Sequence, residues 1–291
     1  MTHADSTDAR NTDTTSRPAR RLFLIRHGQT TSNAIHALDT ALPGADLTEL
    51  GREQAIEAGQ ALASRTQHAR ILSSQAARAQ QTAVNVAHAF AAAGGRVCSA
   101  DSSAGGLSSA FSLDDATALR MIDSPQETAW VAGMVRALPG VAEIAAGEYE
   151  MRNDEDAHEN YHRILGEWLY GQRTSRVPGG ETGEEVLLRY LQPLLVALAE
   201  HAESGEGDFA LVSHGAVIRL VAGLLANVPG EWALAHYLPN AHMVELEIPA
   251  ALPEIVENHP DELEALIGTF HLRAWGPVSY THLRAHETRH D

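Results

Sequence analysis

Two segments of this chain share one design, and together they limit what it can fold into. Leu22 to Ile25 is an unbroken apolar run that stops at Arg26, His27 and Gly28. Phe209 to Val212 is a second such run, followed by Ser213, His214 and Gly215. Four apolar residues in succession fit a strand buried on both faces, as in parallel sheets. Each run ends in histidine and glycine at the carboxyl end of a candidate central strand, where open α/β sheets place their ligands. After Gly215 the apolar residues from Val217 to Ala226 have helical spacing, so this segment reads as strand, turn and helix. Two strand-end histidines on parallel strands can lie side by side, which makes His27 and His214 a candidate site. Arg26 adds a permanent positive charge, and His27 a nitrogen able to act as nucleophile or base near neutral pH. Gly28 permits a tight turn or a close backbone approach to a ligand.

Between these segments the chain alternates helical and extended patterns. Thr48 is placed to N-cap a helix running to about Ser64, and Ala69 to Ser74 reads as a short strand. An alanine-rich helix from about Ala76 to Ala93 closes at Gly94 and Gly95. Tyr161, Ile164, Leu165, Trp168 and Leu169 form the apolar stripe of a helix. Thr182 and Glu185 make a capping box for a helix to about Glu203, in which Pro193 predicts a kink. Met243 to Ile248 reads as an edge strand and Thr269 to Trp275 as a last short one.

A net charge of −17 over 291 residues excludes nucleic acid as the expected partner, because a phosphate backbone would be repelled by most of the surface. A small phosphorylated molecule is not excluded, since a few arginines can bind phosphate locally. No apolar stretch reaches the length of a membrane span. The single cysteine, Cys98, cannot form an intramolecular disulfide, in keeping with a cytoplasmic location. Oligomeric state is not legible.

The motifs resemble those of the histidine phosphatase superfamily, the phosphoglycerate mutase-like proteins. The matching residues are Arg26, His27, Gly28, Thr30 and Asn33; then Leu47, Thr48, Gly51, Gln54 and Ala55; then Ser73, Ser74, Arg78, Ala79, Gln81, Thr82 and Ala83. Further along are Glu143, Ile144, Gly147 and Glu148, then Pro178 to Thr182, and finally Ser213, His214 and Gly215. Six blocks in family order, spread from Leu22 to about Trp275, make the resemblance specific.

The resemblance implies a three-layer α/β/α sandwich with a mostly parallel central sheet, and a phosphatase working through a phosphohistidine without cofactor or metal. It implies that His27 is the nucleophile, that Glu143 is the general acid, and that Arg26, Arg78 and His214 bind phosphoryl oxygens. Thr30, Asn33 and Gly215 are secondary phosphate-binding or positioning groups, and Glu181 orients the active-site arginines. Glu148 and Glu150 are rival positions for the acid. A phosphoglycerate mutase shares this machinery, but the mutase pattern Glu-Arg-x-Tyr-Gly is replaced by Glu143-Ile-Ala-Ala-Gly147. A non-catalytic binding module of the same fold is the alternative of a different class.

Residues 21–277 then form the phosphatase domain, after a tail at 1–20 that is too polar to fold. About 99–138 is an insertion, with helix-like stretches at Asp114 to Ile122 and Pro125 to Leu138, and reads as a substrate-selecting lid or a surface loop. Val278 to Thr288 resembles the in-frame translation of a sequencing-library adapter, so residues 278–291 are expected to be an artefact and, with their histidines, are set aside from the fold and function.

Overall fold

The first strand, β1 (Arg21–Arg26), explains its own composition. Leu22 and Leu24 pack into one hydrophobic core, and Phe23 and Ile25 into another on the opposite face. All four are completely buried. Alternate side chains of an extended strand point to opposite faces, so a strand covered on both sides is apolar at every position. The computed structural model describes residues 19–99, 111–112, 130, 134–204, 207–258 and 262–279.

One face of the sheet is covered by α2 (Glu49–Ala63) and α3 (Ala77–Ala92), which follow the short α1 (Thr31–Ala34). The other is covered by α4 (Glu155–Leu169), α5 (Gly183–Ser204) and α6 (Gly215–Leu225). The amphipathic α4 buries Tyr161, Ile164, Leu165 and Trp168, the expected stripe, while α6 is buried on every side. Thr48 caps α2 through the Gly51 N–H at 3.0 Å, and Thr182 and Glu185 form the expected reciprocal pair before α5.

The remaining strands are β2 (His68–Ser73), β3 (Arg96–Val97), β4 (Phe111–Ser112), β5 (Val135–Ala137), β6 (Asp208–Ser213), β7 (Met243–Glu247), β8 (His271–Trp275) and β9 (Val278–Ser279). Among the described residues they make one sheet in the order β4-β5-β2-β6-β1-β7-β8-β9, with β3 also paired to β2. The pairs β1–β6, β2–β6, β2–β5 and β2–β3 are parallel; β7, β8, β9 and β4 add antiparallel flanks. The expected sandwich and the parallel centre of its sheet are present.

Three local expectations change. Met243–Glu247 is not an edge strand, because β1 pairs on one side of it and β8 on the other. Val135 to Ala137, expected within a helix, is a strand beside β2, where Val135 and Ala137 are buried and the backbone pairs with Ile71 and Ser73. Burial along a free stretch of strand edge outweighs a weak helical pattern. Val278 and Ser279, set aside from the fold, pair with Trp275 and Ala274 as β9. Pro193, where a kink is expected, lies inside α5. The tail 1–18, the expected helix Asp114 to Ile122 and the rest of the expected lid fall outside the described residues, as do 280–291.

Candidate active site

Three neighbouring parallel strands, β2, β6 and β1, end side by side, and the residue after each carries a polar group: Ser74, His214 and His27. The backbone fixes them there. The N–H of His27 donates to Ser213 O at 3.0 Å and that of Ser74 to Val212 O at 2.8 Å. The two imidazoles meet edge to face, with ring centroids 5.2 Å apart.

Gly28 serves a packing requirement. A Cβ built on it would lie 2.2 Å from Gly51 O, and one on Gly51 would lie 2.0 Å from Gln29 O. The turn after His27 therefore presses directly on the first turn of α2, and neither position admits a side chain. At Gly28 the close approach that the structure shows is to this helix.

The ring of His27 is oriented by its own chain: Nδ1 lies 2.7 Å from Gly28 O. A carbonyl only accepts, so Nδ1 carries the proton. Burial, and then the charges of Arg78 and Arg26, hold the His27 pKa well below the usual histidine range. The ring is neutral at physiological pH, and its Nε2 keeps a free lone pair. His214 is also held far below that range, first by burial and then by Arg78 and His27. Its Nδ1 accepts from Arg78 Nε at 3.3 Å, and its Nε2 lies 2.9 Å from Ser74 Oγ. Both nitrogens are thus engaged, and His214 has no accessible surface. Through its Nδ1, His214 supports the Arg78 guanidinium.

A cleft of about 430 Å³ opens over His27. Arg26, Arg78, Asn33, Glu143 and Gly215 line it, and Thr30 and His214 do not. Arg26 donates through Nη1 to Leu238 O at 2.7 Å and to the Tyr237 hydroxyl, while its Nε has no hydrogen-bond partner among the described residues. Nor does Arg78 Nη1, which lies 3.9 Å from Asp39 Oδ1. An ideal Cβ on Gly215 would stand 2.9 Å from Arg26 Nε, so only glycine lets the guanidinium lie against the start of α6. The first N–H groups of a helix have no intrahelical partner and carry partial positive charge.

Asn33 and Thr30 form a reciprocal cap on α1, and Asn33 Oδ1 also accepts from Asn240. The Asn33 amide NH2 therefore remains for the cleft, whereas the Thr30 hydroxyl serves the helix. Glu143 accepts from Val217 N and Ile144 N on Oε1, and from Ala216 N alone on Oε2, at 2.9 to 3.1 Å. Of the rival carboxylates, Glu148 is exposed and packs by Gly179, and Glu150 ties down the backbone of Thr40 and Ala41. Neither lines the cleft. Glu181, expected to orient the site arginines, instead pairs with Arg189, whose guanidinium holds the carbonyls of Gly140, Ala142 and Glu143. It steadies the segment carrying Glu143.

The histidine phosphatase superfamily (branch 1) model matches residues 22–93 and 120–259 of this chain, which contain every one of these groups. The chain belongs to that superfamily. The unmatched stretch between the two parts, 94–119, overlaps the first half of the expected insertion at about 99–138. A glucosyl-3-phosphoglycerate phosphatase of Mycolicibacterium vanbaalenii is 49% identical over 65 residues, which are 22% of this chain and 28% of that protein. A PE-PGRS family protein, PE_PGRS11 of Mycobacterium tuberculosis, is 48% identical over 64 residues, 22% of this chain and 11% of that protein. The chain thus spans less than a third of the length of either curated relative. A solved mycobacterial glucosyl-3-phosphoglycerate phosphatase complexed with VO3 superposes with a TM-score of 0.58 at 23% identity, over 89% of this chain and 100% of that one. The fold is shared.

This member of the superfamily also places in its cleft several residues that the motifs did not single out: Gln29, His36, Asp39, Thr40, His158, Tyr161, His162, Arg219, Tyr237 and Asn240. One of them left a signal. Arg219 is the lone charge in the otherwise apolar segment after His214, four residues and so about one turn beyond Gly215.

Proposed function

We propose that this histidine phosphatase is a phosphomonoesterase acting on a small phosphorylated metabolite through a phosphohistidine at His27. The observation that carries the reading is the Nδ1 bond to Gly28 O, which leaves Nε2 of a neutral, buried ring as the nucleophilic atom. Nε2 attacks phosphorus, the N–P bond forms and the ester P–O bond breaks. Arg26, Arg78, the Gly215 N–H and the Asn33 amide take the non-bridging oxygens, where fixed donors help most as negative charge spreads in the transition state. The departing alkoxide receives a proton from Glu143, whose Oε2 accepts only one backbone bond and has a lone pair to spare. The resulting carboxylate then removes a proton from water as water attacks phosphorus, which releases phosphate and restores His27.

Arginine supplies the charge, so in this reading the reaction needs no metal. The 430 Å³ cleft has the size of a small-molecule site, and the name of the glucosyl-3-phosphoglycerate phosphatase relative supports a metabolite-sized substrate. We place the enzyme in the cytoplasm, in keeping with a single, buried cysteine. No helix among the described residues is long and apolar enough to cross a membrane.

Rapid quenching of wild type with labelled p-nitrophenyl phosphate should trap an acid-labile phosphoenzyme, and His27→Ala should abolish both label and phosphate release. An acid-stable label, or turnover without His27, overturns the mechanism. Chelators should leave the rate unchanged.

A further inference from the structure

Arg219 is a buried cation that the proposed chemistry does not use. It is 4% exposed, lies in the wall of the cleft, and makes no hydrogen bond or ion pair among the described residues. Its Nε is fully enclosed without a partner. A guanidinium carries five N–H donors and no acceptor, and leaving such a group buried and unpaired is costly unless something arrives to pair it. The nearest compensation is weak. Its guanidinium carbon lies 5.7 Å from the ring centroid of Tyr237, and Glu143 acts on it only through space.

Its position relative to the phosphoryl groups is fixed by two elements. Arg219 follows Gly215 by four residues on α6, so the two share a helix face about 6 Å apart along the axis. The Tyr237 ring also carries Arg26, whose guanidinium carbon is 4.9 Å from the same centroid. Two guanidinium groups therefore flank one aromatic ring, one at the reacting end of the cleft and one a helical turn beyond it.

We propose that Arg219 forms a second anion subsite, so that the substrates of this enzyme are phosphomonoesters whose alcohol portion carries its own oxyanion about one helical turn from the ester. The subsite deepens the phosphatase reading and rests on the ester phosphate being held at Arg26 and Arg78. Carboxylate and phosphate share the chemistry that a guanidinium recognises. His162 also lines the cleft, and Arg219 contributes to lowering its pKa, second to burial. An anion seated at Arg219 would offset that effect.

The test is calorimetric binding to full-length His27→Ala protein, which does not turn substrate over. The ligands are glycerol 3-phosphate, 3-phosphoglycerate for the carboxylate arm, and 1,3-propanediol bisphosphate for the phosphate arm. At least one doubly anionic ligand should bind about tenfold or more tightly than glycerol 3-phosphate, and Arg219→Met should bring that ratio near one. Arg219→Lys, which retains the charge if the Met variant fails to fold, should keep part of the preference. Equal affinities for all three ligands, or a preference that survives in Arg219→Met, overturns the subsite. Phosphate release by wild type from p-nitrophenyl phosphate, which has no second anion, tests the phosphatase reading separately.

Discussion

Glu143→Gln separates proton donation from structural support in one experiment. The glutamate holds the N-terminus of α6 through Ala216 and Val217, so the amide variant loses a negative charge at a helix start and has one acceptor oxygen where there were two. That structural loss should be about 1–2 kcal/mol, or a fall of roughly 2–3 °C in melting temperature for a chain of this size. The catalytic loss should be larger and selective. Removing a general acid typically costs about a hundredfold to ten-thousandfold, but only where the leaving group must be protonated. An alkoxide must; nitrophenolate, a stabilised anion, departs without help. The measurement is kcat/KM, which reports the steps through phosphorylation of His27, for an alkyl phosphate and for p-nitrophenyl phosphate. The ratio of the two should change by two orders of magnitude or more in Glu143→Gln and stay fixed in Glu148→Gln and Glu150→Gln. Equal damage to both substrates at Glu143 would refute the acid role, and a selective loss at Glu148 would transfer it there.

Other perturbations follow from the same geometry. Gly44 has φ +73°, and a Cβ on it would lie 2.1 Å from Arg78 Nη1, so Gly44→Ala should cost about 1 kcal/mol in stability and a larger factor in kcat/KM by displacing Arg78, as titration and kinetics will read. Gly28→Ala should unfold the protein or leave it inactive, because the added methyl meets backbone on the other side, and circular dichroism distinguishes the two. His27, His214 and His201, the last lowered to about 4, bind protons more readily unfolded than folded. Their contribution to stability is complete above pH 6.5 and lost as pH falls towards their folded values, with a slope of up to about 4 kcal/mol per pH unit when all three are in range. Urea titrations at pH 7.5, 6.5 and 5.5 measure it. Truncation after Ser279, which leaves β9 paired to β8 and removes most of the segment read as an adapter, should change neither activity nor melting temperature.

What the sequence disclosed depended on how locally each feature is encoded. The strands that carry His27 and His214 were legible because burial on both faces demands an unbroken apolar run. The caps at Thr48 and Thr182 were legible because they are three-residue devices. Met243–Glu247 looked like an edge because its position between β1 and β8 is set by long-range pairing, which leaves no mark on five residues. The short β5 lacked the length to outweigh a helical pattern. Among the site residues, the motifs supplied Arg26, His27, Arg78 and Glu143 but could not tell a group facing the cleft from one standing behind it. His214 and Thr30 occur in the same kind of motif as Asn33, yet their polar atoms are taken by Ser74, Arg78 and the start of α1. Apart from the lone charge of Arg219, the cleft wall to which His158 and His162 belong was invisible, since it is assembled from several helices and loops that meet only in three dimensions.

The backbone of His27 is held on both sides. Its N–H donates to Ser213 O, and its carbonyl accepts from Ala241 N and Asn240 Nδ2. β1 and β6, which deliver the two histidines, are the most deeply covered strands of the sheet. Segments of this kind open only when the whole molecule does, so their amides should exchange with solvent deuterium at the rate set by global unfolding. The protein then has no folded state in which His27 has come loose, and under the proposed mechanism its loss of activity in denaturant should coincide with its loss of secondary structure.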